Sequence, residues 1–104
     1  MNQFDVYLVD LDPAKGSEMK KIRPVVIISP NALNRHLNTV IIAPLTHTLK
    51  DYLFRVPSKF GGEPGEIALD QMRAVDKTRL TQKQGRVIGS TAANIKAVLA
   101  TMFS

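Results

Sequence analysis

Arg23 stands directly before Pro24 and the apolar run Val25-Val26-Ile27-Ile28, so a strand would hold its backbone while its side chain emerges at the strand's start. A planar guanidinium that is always charged suits bidentate contact with phosphate oxygens and stabilisation of a pentavalent phosphoryl transition state. An ion pair with Glu18 is the structural alternative, and the two are compatible, because a carboxylate that orients an arginine also supports it in a site. Thr46 follows the break at Pro44. Its hydroxyl has two possible uses, a phosphate oxygen or the N–H groups of its own turn.

Lys15, Lys20, Lys21 and Arg23, with Arg35 and His36 further on, place several cations in or beside loops at strand ends. Each could neutralise a phosphate, giving binding that weakens with salt; the alternative is a solvated charged face. His47 adjoins Thr46, whereas His36 reads as a surface residue, and two isolated imidazoles without acidic partners at metal spacing argue against zinc. Asp70-Gln71 follows the apolar segment Ile67-Ala68-Leu69, where a polar pair can read base edges or bind a neighbouring loop. There is no Walker-type glycine loop, no GxSxG elbow and no HExxH helix. Cysteine is absent, which removes disulfides, thiolate zinc sites and cysteine nucleophiles.

These residues must be positioned by a small fold. The 104 residues suit one domain, residues 1–104, with 44% hydrophobic and 22% charged side chains, as in an ordinary globular protein. A net charge of +5 favours a polyanionic partner such as nucleic acid, or an acidic protein covering the same surface. Asp5 and Asp10 interrupt the apolar N-terminus, which has no basic leader region, so neither signal peptide nor anchor is expected and the cytoplasm is the default location.

Val6 to Val9 predict a first strand, ended by Asp10 and Asp12-Pro13, and residues 12–23 a long polar loop turning at Gly16. Pro24 to Ile28 predict a central buried strand, Ser29 to Asn34 a turn into a short helix ending near Asn38, and Val40 to Pro44 another strand that leaves the sheet at Pro44. Tyr52 to Pro57 predict a fourth strand, Gly61 to Gly65 a turn, Ile67 to Leu69 a further strand and Val87-Ile88 a short last one. The one strong helix is C-terminal, with Ser90 or Thr91 as N-cap and Ile95, Val98, Leu99 and Met102 on one face. The expected architecture is mainly β: a small, mostly antiparallel SH3-like barrel or half-open sheet capped by a helix.

The blocks VDLDPAKGSEMKKIRPVVIISP, VIIAPLTHT and GEIALDQMRAVDKTRL, in this order, resemble the MazF/PemK/Kid family of toxin endoribonucleases across nearly the whole chain. The resemblance implies a CcdB-like, SH3-like barrel that dimerises, cuts single-stranded RNA at short motifs without a metal or other cofactor, and is neutralised by an acidic antitoxin segment. It implies catalytic roles for Arg23, Thr46 and Glu18. Lys15, Gly16, Ser17, Lys20, Lys21, His47, Asp70 and Gln71 follow as RNA-binding candidates, with sequence preference residing in loops 12–21 and 46–51. The implied reaction is attack of a ribose 2′-OH on the adjacent phosphorus, leaving a 2′,3′-cyclic phosphate and a 5′-OH.

The pattern departs from the Kid branch, which has a histidine where this chain has Ser17 and an arginine where it has Ala68, although that branch's aspartate matches Asp70. A mechanism built on that histidine and arginine is therefore not expected. Two alternatives have different chemistry: a non-enzymatic gyrase poison of the same fold, like CcdB, and an RNA-binding barrel without catalysis. Against the first stand Glu18, Arg23 and Thr46 and a C-terminus without the Trp-Gly-Ile ending. Against the second stands an aromatic content of 6%, low for stacking-driven binding.

Overall fold

The apolar runs pair with one another to form the sheet interior. In the computed structural model, which describes residues 1–10 and 22–104, β1 (Asp5–Asp10) and β2 (Ile22–Ile27) are antiparallel, with Val6 opposite Val26 and Val9 opposite Arg23. Most of the expected 12–23 loop, including Lys15, Gly16, Ser17, Glu18, Lys20 and Lys21, lies outside the described residues. After Ser29-Pro30 comes α1 (Asn31–His36), the short helix expected there. Ser29 Oγ donates to Asn34 Oδ1 at 2.5 Å and accepts the Ile41 amide at 3.0 Å, so this buried polar pair ties the helix to the next strand.

That strand, β3 (Thr39–Thr46), does not end at Pro44 as expected. It pairs with β2 through Val25–Pro44 and joins two sheets: residues 39–42 pair with β6 (Arg73–Asp76), and Leu45 and Thr46 pair with β5 (Glu63–Ala68). Pro44 falls between those two pairings, where the ladder changes partner and a missing amide proton is tolerated.

The fourth strand, β4 (Arg55–Phe60), starts three residues later than expected. Asp51 and Phe54 have φ of 51° and 67°, left-handed values that bend the backbone ahead of Arg55 and keep Tyr52 to Phe54 out of the sheet. The expected turn at 61–65 shrinks to Gly61-Gly62, and Pro64 and Gly65 belong to β5, opposite Lys59 and Ser58. Pro64 is accommodated because that part of β5 pairs only with β4. Leu69 begins a 3₁₀ turn (Leu69–Gln71) instead of continuing the strand.

β6 was not anticipated, nor was β7 (Leu80–Arg86), the edge partner of β1. Only Leu80 of β7 is buried, so its sequence lacks the apolar alternation of an interior strand. Its register against β1 shifts twice, leaving Thr81 and Gln84 as extra residues of the kind that blunt an edge against unwanted pairing. Val87-Ile88, expected as a strand, lies beyond β7 and forms none, although the Val87 amide bonds the Phe4 carbonyl at 2.9 Å. The terminal helix, α2 (Gly89–Met102), starts at Gly89, whose φ is 61°, and neither Ser90 nor Thr91 caps it.

The sheet order is β4-β5-β3-β2-β1-β7, with β6 beside β3, a half-open antiparallel barrel carrying one long helix. Period-two alternation divides its core. Val26, Ala43, Leu45 and Ile67 face α2, where Ile95 is fully buried and Val98, Leu99 and Met102 pack around it, whereas Val9, Val25, Ile27, Val40 and Ile42 form a second cluster on the other face. Among the described residues no helix is long and apolar enough to cross a membrane.

Candidate active site

Continuing the β2–β3 register two residues past the Val25–Pro44 pair sets Arg23 opposite Thr46, on the same face of the sheet. Both line a cleft of about 260 Å³ whose other polar walls are Thr48, Lys50, Arg55 and Gln71. The Arg23 side chain stands at the exposed end of β2 and has no ion-pair partner among the described residues; Glu18 lies outside them. Thr46 Oγ1 accepts the Thr48 amide at 3.1 Å, which leaves its hydroxyl proton available for another acceptor. The turn role and a phosphate-facing role are thus compatible in one side chain.

The loop after Thr46 is held by a buried carboxylate. Glu66, 5% exposed, accepts the amides of Lys50 at 2.9 Å and Asp51 at 3.1 Å, and Arg55 Nη1 lies 3.4 Å from it. The Lys50 amide is the strongest influence holding this carboxyl below its ordinary value; burial opposes, and the Asp51 amide and Arg55 assist. Arg55 in turn grips Asp70, its Nε 2.6 Å from Oδ1 and its Nη2 3.3 Å from Oδ2, and lies over the Tyr52 ring at 5.2 Å. That bond to Asp70 is the main reason its pKa is raised.

Asp70 therefore reaches the site with both oxygens engaged by Arg55, whereas Gln71 lines the cleft directly. Arg55 is also paired directly with Ala68 across β4 and β5. Its guanidinium thus lies beside Ala68, engaged by the Glu66 and Asp70 carboxylates. His47 points to the β4–β5 hairpin, stacked on Phe60. Arg35 and His36 end α1 and do not line the cleft. Among the described residues no three His, Cys, Asp or Glu side chains converge to hold a metal.

Sequence reasoning placed Thr48 and Lys50 only as members of the 46–51 loop, and it missed Arg55 and Glu66 as parts of this site. Glu66 left a signal: an acid directly before Ile67-Ala68-Leu69 needs partners if buried. Arg55 left none, because its partners lie 11 and 15 residues away, on β5 and in the 3₁₀ turn after it. A larger groove of about 860 Å³, bordered by Leu8, Pro24, Lys59, Phe60 and Arg86, meets the cleft at Leu45 but does not contain Arg23 or Thr46.

A half-open β-barrel that gathers arginine, lysine and threonine side chains in one cleft has the makings of a small β-protein that holds an anionic chain. Residues 2–103 match the PemK-like, MazF-like toxin of type II toxin–antitoxin systems, and the chain belongs to that family. The endoribonuclease MazF of Staphylococcus saprophyticus is 38% identical over 91 residues, covering 80% of this chain and 74% of that protein. A solved mycobacterial endoribonuclease in complex with its cognate antitoxin aligns with a TM-score of 0.80 at 28% identity, over 97% of this chain and 92% of that one. MazE–MazF of Deinococcus radiodurans shares the fold, with a TM-score of 0.82 at 22% identity over 99% and 95% of the two chains. Family and fold agree with the resemblance read from the sequence.

Proposed function

We propose that this toxin is a sequence-specific, metal-independent endoribonuclease that cuts single-stranded RNA, messenger RNA included, in the cytoplasm. The observation that carries the reading is the convergence of Arg23 and Thr46, from two strands, in one cleft. Substrate lies there with a backbone phosphate between them. The 2′-oxygen bonds to phosphorus as the P–O5′ bond breaks; the 2′-OH loses its proton and the departing 5′-oxygen gains one. Arg23 balances the charge growing on the nonbridging oxygens, and the Thr46 hydroxyl donates to one of them. Both act from strand ends, so little reorganisation is needed as the phosphorane forms.

Glu18 is the third catalytic residue on the strength of the resemblance. Lys15, Gly16, Ser17, Lys20, Lys21, His47, Asp70 and Gln71 form the RNA-binding set, with Asp70 acting through Arg55 and Gln71 facing the cleft. The protein works as a homodimer, and an acidic antitoxin, matching its charge of +5, occupies the RNA surface.

The test incubates wild type and Arg23→Ala with a long, weakly structured RNA in EDTA and maps the fragment ends. Discrete cuts bearing cyclic phosphates, lost in the variant while RNA binding persists, are expected. Bound but intact RNA would leave a binding barrel, and neither cutting nor binding would bring the gyrase-poison reading forward. Equal losses of rate and affinity in Arg23→Ala would contradict its role at the phosphorane.

A further inference from the structure

The ring of His47 is held as a platform. Its centroid lies 4.0 Å from that of Phe60 with the planes 19° apart, and its Nδ1 is 2.9 Å from the Pro64 carbonyl oxygen. A carbonyl only accepts, so Nδ1 donates to it, and the Glu63 carboxylate lies 3.8 Å from the same nitrogen. One face is covered by Phe60 and one edge is fixed by Pro64, yet 44% of the side chain is exposed. The exposed part is the side of the ring turned away from Phe60 and Pro64. Phe60 reaches this position because Gly65 lacks a Cβ, which would collide with its ring.

The platform adjoins the cleft. His47 follows Thr46 in the chain, and consecutive Cα atoms are about 3.8 Å apart. The ring itself does not line the cleft but stands beside its Thr46 wall, turned toward the β4–β5 hairpin, so a strand whose phosphate contacts Thr46 meets it with a flanking nucleotide only by passing around the end of β3. We propose that His47, backed by Phe60, is a stacking subsite for an unpaired nucleobase flanking the scissile phosphate. This rests on the endoribonuclease reading and adds to it a subsite for an identified part of the substrate. Aromatic faces bind bases through stacking, and a ring already locked in place loses little conformational freedom on binding.

The test uses a short RNA spanning one mapped cut and copies of it with a single abasic residue at each flanking position. His47→Ala is expected to lower kcat/KM by roughly 5- to 100-fold, through KM, with kcat at saturating RNA close to wild type. His47→Phe, which keeps a stacking face, is expected to restore most of the loss. At one abasic position wild type and His47→Ala are expected to converge. Unchanged kcat/KM in His47→Ala, a loss confined to kcat, or an equal penalty on every abasic RNA would overturn the subsite while leaving the endoribonuclease reading intact. Wild-type protein that cuts no RNA would overturn that reading itself and is seen before any variant is compared. Thermal melting of His47→Ala near that of wild type separates lost stacking from lost folding.

Discussion

Gly65→Ala tests how closely β3, β4 and β5 approach beside Thr46. Gly65 does not have the left-handed backbone that favours glycine, so on conformational grounds alanine is admissible and, by restricting the unfolded chain, would stabilise the protein by about 0.4–1 kcal/mol. A Cβ there would collide with the Phe60 ring and come within 2.8 Å of the Thr46 carbonyl oxygen. The ring can turn aside, but the carbonyl belongs to a paired strand, and overpacking of this kind costs about 1–3 kcal/mol. The mid-range steric cost of about 2 kcal/mol exceeds the mid-range gain of about 0.7 kcal/mol, leaving a net destabilisation of about 1.3 kcal/mol, or about 5–10 °C in melting temperature for a domain of this size. Circular dichroism melts of wild type and variant measure it. Because 1 Å of misplacement of a catalytic group can cost on the order of 100-fold, a shift of Thr46 by a few tenths of an ångström should also slow cleavage by roughly threefold or more. Adding Phe60→Leu should recover only the part due to the ring. A Gly65→Ala protein that melts at or above wild type would refute the steric argument, because entropy would then outweigh the contact.

Other expectations concern the buried ions and the helix. Arg55→Met should destabilise by about 3 kcal/mol, the low end for an orphaned buried partner because Asp70 retains 32% of its side-chain exposure, and a melting-temperature loss below 3 °C would contradict this. Glu66 titrates below its ordinary value of 4.5, so the folded protein binds fewer protons there than the unfolded chain; its contribution is complete above that range and is lost as pH falls through the lower, folded pKa. Glu66→Gln should therefore lose less stability than wild type between about pH 7 and pH 3.5. Asp76, also shifted down mainly by the Thr78 amide, keeps part of the acid sensitivity in the variant, and identical pH profiles would contradict the Glu66 assignment. Ile95→Ala, at a fully buried position, should cost about 2–5 kcal/mol in denaturant unfolding, whereas a cost below about 1 kcal/mol would mean α2 is not packed as described.

β1, β2 and the first half of β3 were legible because short runs of apolar, β-branched residues, buried throughout at Val25 to Ile27 and alternating at Thr39 to Ile42, need no long-range information. β7 was not, since an edge strand with one buried residue has the polarity of a loop. Pro44 misled for a related reason: the rule that proline ends a central strand fails where the ladder changes partner, and the sequence does not show where that occurs. Arg23 and Thr46 could be singled out locally, one directly before Pro24 and the other two residues after Pro44. Arg55, Glu66 and Asp70 act together only through register, with Arg55 opposite Ala68 and Glu66 opposite Thr46. Their coupling is a property of pairing, which no window of sequence contains.

The grip of Glu66 on the loop after Thr46 bears on how such a protein can diversify. The carboxylate holds that loop by two backbone amides, so the path of the chain does not depend on the side chains of Leu49 or Lys50. Those two positions can be rewritten to suit a new target while the scaffold beneath stays the same. Asp51 is the exception, since its φ of 51° narrows the choice to aspartate, asparagine or glycine. A library randomised at 49 and 50, with 51 and 66 kept, would therefore vary the wall of the cleft with little effect on its frame.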